Sequence, residues 1–360
     1  MLKGNKGEWS ELYAFFKLLA DGKFFSADEN LTRTHSFVEI ESIKRLDSGS
    51  CLNFKREIGS KVNIIDTRSG EVLLTFFQSE AKEIANEIIL KINSGNDLPK
   101  DVLDKVESFN IRKTSEKSLS KGDIDILVYD PTHGISTDQK FSIKSFIGST
   151  PTLFNANKTT NIIYKITDSS NLPIAEAHLK EINSILAGHK YINRLARIIE
   201  LGYRVEFSSF EDSTFKLNLQ MIDSDLPKII AHIVLEKYLY KITKITDVIG
   251  RLNKYNPMNY DLTQGHNFYE YRIVNFLIEA ALGMTSKVVW SGVYDVVGGI
   301  IILKPNAELL CYHLIDFNKF RNYLKNSSRL DNPSGSKMGY GAVYMKNDES
   351  FIKLNFQVKA

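Results

Sequence analysis

The chain of 360 residues contains only two cysteines, Cys51 and Cys311, and they lie far apart in the sequence. They provide neither a disulfide framework nor the spacing of a zinc site. No signal peptide is evident at the amino terminus, and no apolar run approaches the length needed to cross a bilayer. These absences predict a cytoplasmic protein with no membrane partner.

The chain also lacks a strong net charge, since 46 Lys and Arg residues against 43 Asp and Glu residues leave only +3. A protein that passively coats DNA is usually far more basic. A nuclease can be nearly neutral, because its basic groups need only line one cleft while carboxylates gather metal inside it. With 43% hydrophobic residues the chain can build a core. The charge balance therefore argues against passive DNA coating and leaves an enzyme acting on DNA open.

The most informative stretch covers residues 121–148, where two apolar strands are joined by a polar turn. Alternate residues of a strand share a face, so Asp123 and Asp125 share one side of the first strand, and Ser142 and Lys144 share one side of the second. An aspartate facing a lysine across paired strands is suited to metal-assisted phosphodiester hydrolysis, with the carboxylate holding magnesium and the lysine steadying water or phosphate. An edge hairpin with solvated charges has the same local pattern.

Two lysines compete for the catalytic role. Asp138-Gln139-Lys140 is a literal acid-x-Lys tripeptide, whereas Ser142-Ile143-Lys144 has lost the acid. We expect the first to lie at the polar end of the turn, where its charged groups are solvated. Lys144 is embedded among apolar residues, where a lysine needs a partner. We therefore assign Lys144 as catalytic and interpret Asp138-Gln139-Lys140 as a coincidental match.

The amino-terminal segment predicts an amphipathic helix that ends at Asp21-Gly22. Its apolar positions recur with helical spacing at Leu12, Phe15, Phe16 and Leu19. Glu8 and Glu11 are neighbours on the helix surface. Acids in a first turn also suit the helix dipole. The functional interpretation is that Glu11 points into the catalytic cleft as a further metal carboxylate.

The segment that follows the second strand is rich in small residues, hydroxyls and amides. Such groups offer neutral hydrogen bonds to phosphate oxygens or base edges, although an ordinary polar loop has the same composition. The DNA contacts predicted here are Ser145, Ser149, Thr152, Asn155 and Asn157.

Three long strings carry a resemblance to a known family: NKGEWSELYAFFKLLADGK, GDIDILVYD with FSIKSFIGSTPTLFNANKTTN, and SFIKLNFQVKA. They resemble the HpaII-type family of type II restriction endonucleases, and the resemblance covers nearly the whole chain. It implies a PD-(D/E)XK nuclease core, magnesium-dependent cleavage of double-stranded DNA at the palindrome CCGG, and a cognate DNA methyltransferase as functional partner. A palindromic target also favours a homodimer.

The resemblance assigns roles to individual residues. Asp123 resembles the motif aspartate, Lys144 the motif lysine, and Glu11 the glutamate that many such cores present from their first helix. The departure is Ser142, where the broader superfamily usually has Glu or Asp. Either Glu11 or Asp125 takes the place of that acid, or the site holds a single cation. The predicted metal ligands are Asp123, Glu11 and Asp125.

Specificity is expected from the carboxy-terminal loop 326–337. Reading CCGG requires donors to guanine O6 and N7 and acceptors for cytosine N4. Arg329 and Lys337 supply the donors, and Asp331 supplies the acceptor. An exposed loop whose charges read no base has the same composition.

The fold class we predict is α/β (α+β), with a mixed sheet flanked by helices. Residues 1–170 form the nuclease core, residues 171–267 a helix-rich middle region, and residues 268–360 a β-rich DNA-recognition region. Within this scheme, alternation predicts strands at Phe215–Ile222 and Val288–Val293. The first of these resembles the carboxy-terminal strand at Ile352–Val358.

Two other functions fit parts of the same sequence. A non-catalytic sequence-specific DNA-binding protein would use the same loops without cleaving DNA. A metal-free phosphodiesterase would use His133 or His313 as its nucleophile, although lone histidines are more often turn or core residues.

Overall fold

The computed structural model describes residues 2–47, 49–115, 122–186 and 188–360, and it has an α+β fold. Its α-helices are α1 (Lys6–Asp21), α2 (Gln78–Ser94), α3 (Lys100–Ser108), α4 (Glu176–Asn183), α5 (Lys190–Glu200), α6 (Ser213–Ile222), α7 (Leu226–Tyr240), α8 (Ile245–Tyr255), α9 (Phe268–Leu282), α10 (Phe317–Ser327) and α11 (Gly335–Met338).

The strands of the same described part are β1 (Lys23–Ala27), β2 (Arg33–Asp47), β3 (Ser50–Glu57), β4 (Lys61–Asp66), β5 (Val72–Phe77), β6 (Ile124–Asp130), β7 (Ile135–Ser145), β8 (Thr152–Phe154), β9 (Asn161–Thr167), β10 (Arg204–Phe210), β11 (Gly299–Leu303), β12 (Leu309–His313), β13 (Arg329–Leu330), β14 (Val343–Lys346), β15 (Glu349–Asn355) and β16 (Val358–Lys359). Lys121, at the start of the informative stretch, lies outside the described residues.

The chain divides into two compact units. The first unit runs to Pro151 and also takes in Ala281–Gly283 and Tyr294–Tyr323. The second comprises Thr152–Ala280, Met284–Val293 and Leu324–Ala360. These boundaries differ from the predicted division at residues 170 and 267, because strands from late in the chain pair within the first unit. Sequence order alone does not reveal such a return of the chain.

The first unit is built on a nine-stranded mixed sheet with the order β1-β12-β11-β7-β6-β2-β3-β4-β5 and an additional pairing of β1 with β2. β7 pairs with β6 in antiparallel fashion and with β11 in parallel. The late strands β11 and β12 therefore continue the sheet beyond β7. This arrangement places the predicted catalytic hairpin in the interior of the sheet rather than at its edge.

Helix α1 forms for the reasons that its sequence indicates. Asn5 caps its first turn in a capping box with Glu8, and Gly22 ends it in the left-handed conformation at φ +71°. Its apolar positions Leu12, Phe15, Phe16 and Leu19 are all buried in the core of the first unit, which confirms the predicted helix and its buried face.

The second unit combines helices with two small sheets, which have the orders β10-β9-β15-β14 and β13-β16-β8. The buried Tyr164 of β9 donates its hydroxyl to the carbonyl of Ala231 on α7 (2.7 Å), joining sheet to helix. In the described part of the chain, no helix has the length and apolar character required to span a membrane.

The predicted strand Phe215–Ile222 is wrong, because this segment lies in α6. Asp212 caps the helix by accepting the N–H groups of Thr214 and Phe215. Phe215 and Leu219, one turn apart, are both buried, so the buried apolar residues follow the period of a helix and not the alternation of a strand. The likeness to Ile352–Val358 is therefore not structural, since that segment lies largely in β15.

The predicted strand Val288–Val293 is also absent, because residues 288–293 have no regular secondary structure. The buried Asn218 of α6 holds this segment instead, donating to the carbonyls of Thr285 (2.9 Å) and Val288 (2.8 Å). A side chain distant in sequence thus satisfies backbone groups that a strand would have paired.

Candidate active site

The two strands of the predicted catalytic hairpin pair in register, with Ile124 opposite Phe141 and Asp125 opposite Lys140. Asp123 directly precedes β6 and continues this register, since its N–H donates to the carbonyl of Phe141 (2.8 Å). Pairing with β7 therefore fixes the backbone of Asp123, and its side chain is directed by the neighbouring strand.

Asp123 and Lys144 are connected through the hydroxyl of Ser142. Lys144 donates from Nζ to Ser142 Oγ (2.7 Å), and Ser142 Oγ donates in turn to Asp123 Oδ2 (3.0 Å). The backbone N–H of Ile143 donates to the same oxygen (2.6 Å). Asp123 and Lys144 are half-buried and Ser142 is buried. The carboxylate and the ammonium thus lie on one side of the hairpin and remain partly open to solvent.

Ser142 occupies the position at which the resemblance leads one to expect a second acid. In this structure the residue supplies no charge, but its hydroxyl holds the other two groups in a fixed relation. Strand periodicity predicted that Ser142 and Lys144 share a face, and the hydrogen bond between them agrees with it.

Helix α1 places the carboxyl group of Glu11 near the same pair. Burial and then the negative charge of Asp123 raise the pKa of Glu11 to about 8, while the ammonium of Lys144 acts in the opposite direction. Glu11 therefore lies within electrostatic range of both Asp123 and Lys144. Glu8 has the structural role that its position suggested, since its carboxylate accepts the N–H of Asn5 (2.7 Å).

Asp125, the third predicted metal ligand, is engaged differently. Its carboxylate lies 3.5 Å from the ammonium of Lys140, the residue opposite it on β7. It is not among the charges that shift the pKa of Glu11. Among the described residues no group of three or more His, Cys, Asp or Glu side chains is arranged to hold a metal ion. The three predicted carboxylates therefore do not converge into one group, and the pair formed by Asp123 and Glu11 remains.

The coincidental acid-x-Lys tripeptide lies within β7 and not at the polar end of the turn, as we had expected. Asp138 forms an ion pair with Lys44 (2.8 Å), and Lys140 forms one with Asp125. The strand begins at Ile135, so it extends further toward the turn than its apolar pattern indicated. Neither charge of the tripeptide is free to act on a substrate without breaking a cross-strand pair.

The predicted DNA contacts of the polar segment lie in both units. In the first unit, Ser145 ends β7 with its Oγ 3.0 Å from Ser10 Oγ of α1, and Ser149 is exposed. In the second, Thr152 is half-buried in β8, Asn155 is exposed, and Asn157 is half-buried. No local pattern singles out Ser10, because only the fold brings α1 against the end of β7.

The predicted base-reading residues belong to the second unit. Arg329 is exposed in β13, and Lys337 is exposed in the short helix α11. Asp331 forms an ion pair with Lys359 (3.0 Å), and its backbone carbonyl accepts a hydrogen bond from the buried Lys237. The segment predicted as a loop therefore contains regular structure and is tied to distant parts of the chain.

The two histidines considered as nucleophiles are both engaged. His313 is buried, with Nδ1 accepting the N–H of Ile315 (3.0 Å) and Nε2 lying 2.6 Å from Gln139 Oε1. Burial lowers its pKa. His133 lies in the turn between β6 and β7, 2.7 Å from the carboxylate of Asp130. Neither histidine interacts with Asp123 or Lys144 in the hydrogen bonds of the described residues.

Comparison with known proteins identifies the family of the chain. The family model of the HpaII restriction endonuclease matches residues 5–360. The type II restriction enzyme HpaII of Haemophilus parainfluenzae is 39% identical over 362 residues, which cover 99% of this chain and 98% of that protein. No solved structure matches the chain significantly. The chain therefore belongs to the HpaII restriction endonuclease family, and its class is that of a type II site-specific deoxyribonuclease.

Proposed function

We propose that this protein cleaves both strands of duplex DNA at CCGG in a magnesium-dependent reaction, using a centre of the PD-(D/E)XK type. The observation that carries the proposal is the hydrogen-bonded series Asp123–Ser142–Lys144 beside Glu11. The substrate is double-stranded DNA, the cognate DNA methyltransferase is the functional partner, and two copies of the chain act on the two halves of the palindrome.

Lys144, Ser142 and Ile143 have different roles in the proposed reaction. The ammonium of Lys144 donates hydrogen bonds to the attacking water and to a non-bridging phosphate oxygen, which orients the nucleophile and favours the more negative transition state. Ser142 accepts from Lys144 and donates to Asp123, so it fixes the spacing between cation and carboxylate. The N–H of Ile143 holds Asp123 Oδ2 in place from the backbone.

Asp123 and Glu11 fit a hard divalent cation. Magnesium prefers oxygen donors and is commonly bound by one or two carboxylates together with water and substrate phosphate, so a third protein carboxylate is not needed. Burial, and after it the negative charge of Asp123, raises the pKa of Glu11, so ionised Glu11 would crowd negative charge into a partly buried space. A bound cation would relieve that crowding and would offset charge that develops on the phosphate and the leaving 3′ oxygen.

Base reading is assigned to the 326–337 segment. Arg329 and Lys337 are exposed donors of the type that recognises guanine O6 and N7. Asp331 is the acceptor for cytosine N4. Its ion pair with Lys359 leaves lone pairs available, because a carboxylate has about four acceptor positions.

Digestion of a plasmid of known sequence, followed by sequencing of the fragment ends, tests the whole proposal. We expect ends at CCGG with magnesium, no cleavage with EDTA, and no cleavage by Asp123→Ala, which should still bind a CCGG duplex. Parallel digestion of CpG-methylated plasmid shows whether methylation blocks cleavage. Full activity of Asp123→Ala would remove the assignment of that residue.

The same experiment separates the rival functions. Binding to a specific duplex without metal-dependent nicking by the wild-type protein would favour a non-catalytic DNA-binding protein. Cleavage that survives EDTA would favour a metal-free phosphodiesterase. The hydrogen bonds of His313 and His133 argue against that last reaction, because each ring is already held by a neighbouring group.

A further inference from the structure

A lysine at the start of α1 has an unusual environment beside the catalytic strand. The side chain of Lys6 lies along Gly148, since a Cβ built on that glycine would be 2.9 Å from Lys6 Nζ and 3.6 Å from its Cδ. Gly148 has a φ of +86°, a conformation that residues with side chains rarely adopt. Glycine at this position therefore permits both the turn that follows β7 and the close approach of the ammonium.

Hydrogen bonds fix the position of Lys6 relative to the strand. Ser10 Oγ donates to the carbonyl of Lys6 (2.8 Å) and lies 3.0 Å from Oγ of Ser145, the last residue of β7. Glu11 follows directly and lies near Asp123 and Lys144. The first two turns of α1 are thus packed against the strand that carries Lys144, and the ammonium of Lys6 lies near the end of that strand.

The charge of Lys6 is not offset within the described part of the chain, where it forms no ion pair. The nearby carboxylate of Glu8 is bonded to the N–H of Asn5. The side chain of Asn5 already accepts the N–H groups of Gly7 (2.9 Å) and Glu8 (3.1 Å). The positive end of the helix dipole adds to the charge of the ammonium. An anion beside Lys6 would therefore be favoured, and the lysine still has donors to offer it.

We propose that Lys6 binds a non-scissile backbone phosphate of the substrate, with the hydroxyl of Ser149 as a second donor from the turn after β7. This inference rests on the proposed function, because the ligand is the DNA strand whose scissile phosphate lies at Asp123 and Lys144. Phosphate contacts fix the register of a protein on the duplex. Lys6 is accordingly a positioning residue, which holds the strand so that the scissile bond meets the catalytic groups.

The salt dependence of binding tests the proposal directly. The wild-type protein, Lys6→Gln, Lys6→Arg and Lys17→Gln are titrated with a CCGG duplex in calcium at several salt concentrations between about 50 and 200 mM. Lys17 is the matched control, since it lies on the same helix but is paired with Asp21 at 2.8 Å. We expect Lys6→Gln to reduce the slope of log K against log salt by about 0.9, the value for one phosphate contact, while Lys6→Arg and Lys17→Gln keep the wild-type slope.

The outcomes distinguish this inference from the proposed function. An unchanged slope for Lys6→Gln in a protein whose wild type cuts CCGG would overturn the role of Lys6 alone. An equal reduction for Lys17→Gln would also overturn it, since the effect would then be one of net charge. A wild-type protein that neither binds nor cuts the duplex would overturn the proposed function itself. Thermal melting of each variant establishes that it is folded, and the exposure of Lys6 makes loss of fold unexpected.

Discussion

The hairpin that we propose as catalytic, in the first unit, and the 326–337 segment, in the second, differ in how their side chains are held. In the hairpin, Ser142 of β7 forms hydrogen bonds both to Lys144 on its own strand and to Asp123, which directly precedes β6. In the 326–337 segment, Asp331 is held by Lys359 and by Lys237, which is 94 residues away in sequence. A site whose side chains are brought together by one hairpin can be inferred from strand periodicity. A site whose side chains are held by residues distant in sequence cannot.

The same distinction explains which elements the sequence predicted. Helix α1 was confirmed, because its apolar period and its terminal residues agreed within one segment. The strand predicted at Phe215–Ile222 is a helix, because the apolar spacing of so short a segment fits both periods and the Asp212 cap decides between them.

The candidate site shows the same limits. The alternation that put Ser142 and Lys144 on one face needed only the strand itself, and their hydrogen bond agrees with that shared face. The ion pair between Asp125 and Lys140 depends on the register across the turn, which the sequence did not fix, since β7 begins earlier than its apolar residues suggested. The contact between Ser10 and Ser145 requires the packing of α1 on the sheet and has no local signal.

Replacing each of the two lysines of β7 separately is expected to give the largest effect on the cleavage rate. Lys144→Met should reduce kcat at CCGG by roughly 10²- to 10³-fold, since a donor to the reacting phosphate is lost while the shape of the side chain is retained. Lys140→Met should stay within a few-fold of the wild type, because the ammonium of Lys140 forms a partly exposed ion pair with Asp125. Single-turnover cleavage of a short duplex measures both, and comparable losses would contradict the choice between the lysines.

Removing the hydroxyl of Ser142, which bridges Asp123 and Lys144, is expected to give the next largest effect on kcat. Ser142→Ala leaves Asp123 Oδ2 with the N–H of Ile143 but deprives Lys144 of its fixed acceptor. We expect a fall in kcat of about 10- to 100-fold with little change in KM, since the loss is one of alignment and not of substrate binding. Ser142→Thr retains a hydroxyl and should recover most of the rate. A rise in KM with an unchanged kcat would instead indicate that Ser142 contacts DNA.

The second unit is tested through the buried amide of Asn355. This side chain donates to the carbonyl of Asn157 (2.8 Å) and to Asn161 Oδ1 (2.6 Å). Asn355→Ala leaves the buried Asn161 Oδ1 without this donor, whereas the carbonyl of Asn157 keeps the hydroxyl of Thr160 (2.9 Å). We expect a loss of about 2 kcal/mol in the free energy of unfolding. The exposed Asn155→Ala is the control and should change it by less than about 0.5 kcal/mol. Chemical denaturation measures the free energy of unfolding of both variants. Equal effects would show that Asn355 does not hold Asn157 and Asn161 in place.

The titration of Glu11, which lies beside the hairpin, is expected to give the smallest effect, a pH dependence of stability and of magnesium affinity. Between its ordinary value of 4.5 and its raised pKa of about 8, the folded protein without magnesium binds more protons than the unfolded chain. Its stability should therefore fall as the pH rises through this range, and Glu11→Gln should remove that part of the slope. A cation must displace the proton, so magnesium affinity should increase up to about tenfold per pH unit until pH 8 and then level off.

Calorimetric titration of magnesium in buffers of different ionisation enthalpy measures the proton released by Glu11. Release approaching one proton per ion at pH 7 is expected for the wild type, and release close to zero for Glu11→Gln. Glu8→Gln is the matched control, because Glu8 lies on the same helix but caps its first turn. If Glu8→Gln abolished proton release and Glu11→Gln did not, Glu8 rather than Glu11 would be the carboxyl that binds the cation. The residue that α1 contributes to the site would then have to be reassigned.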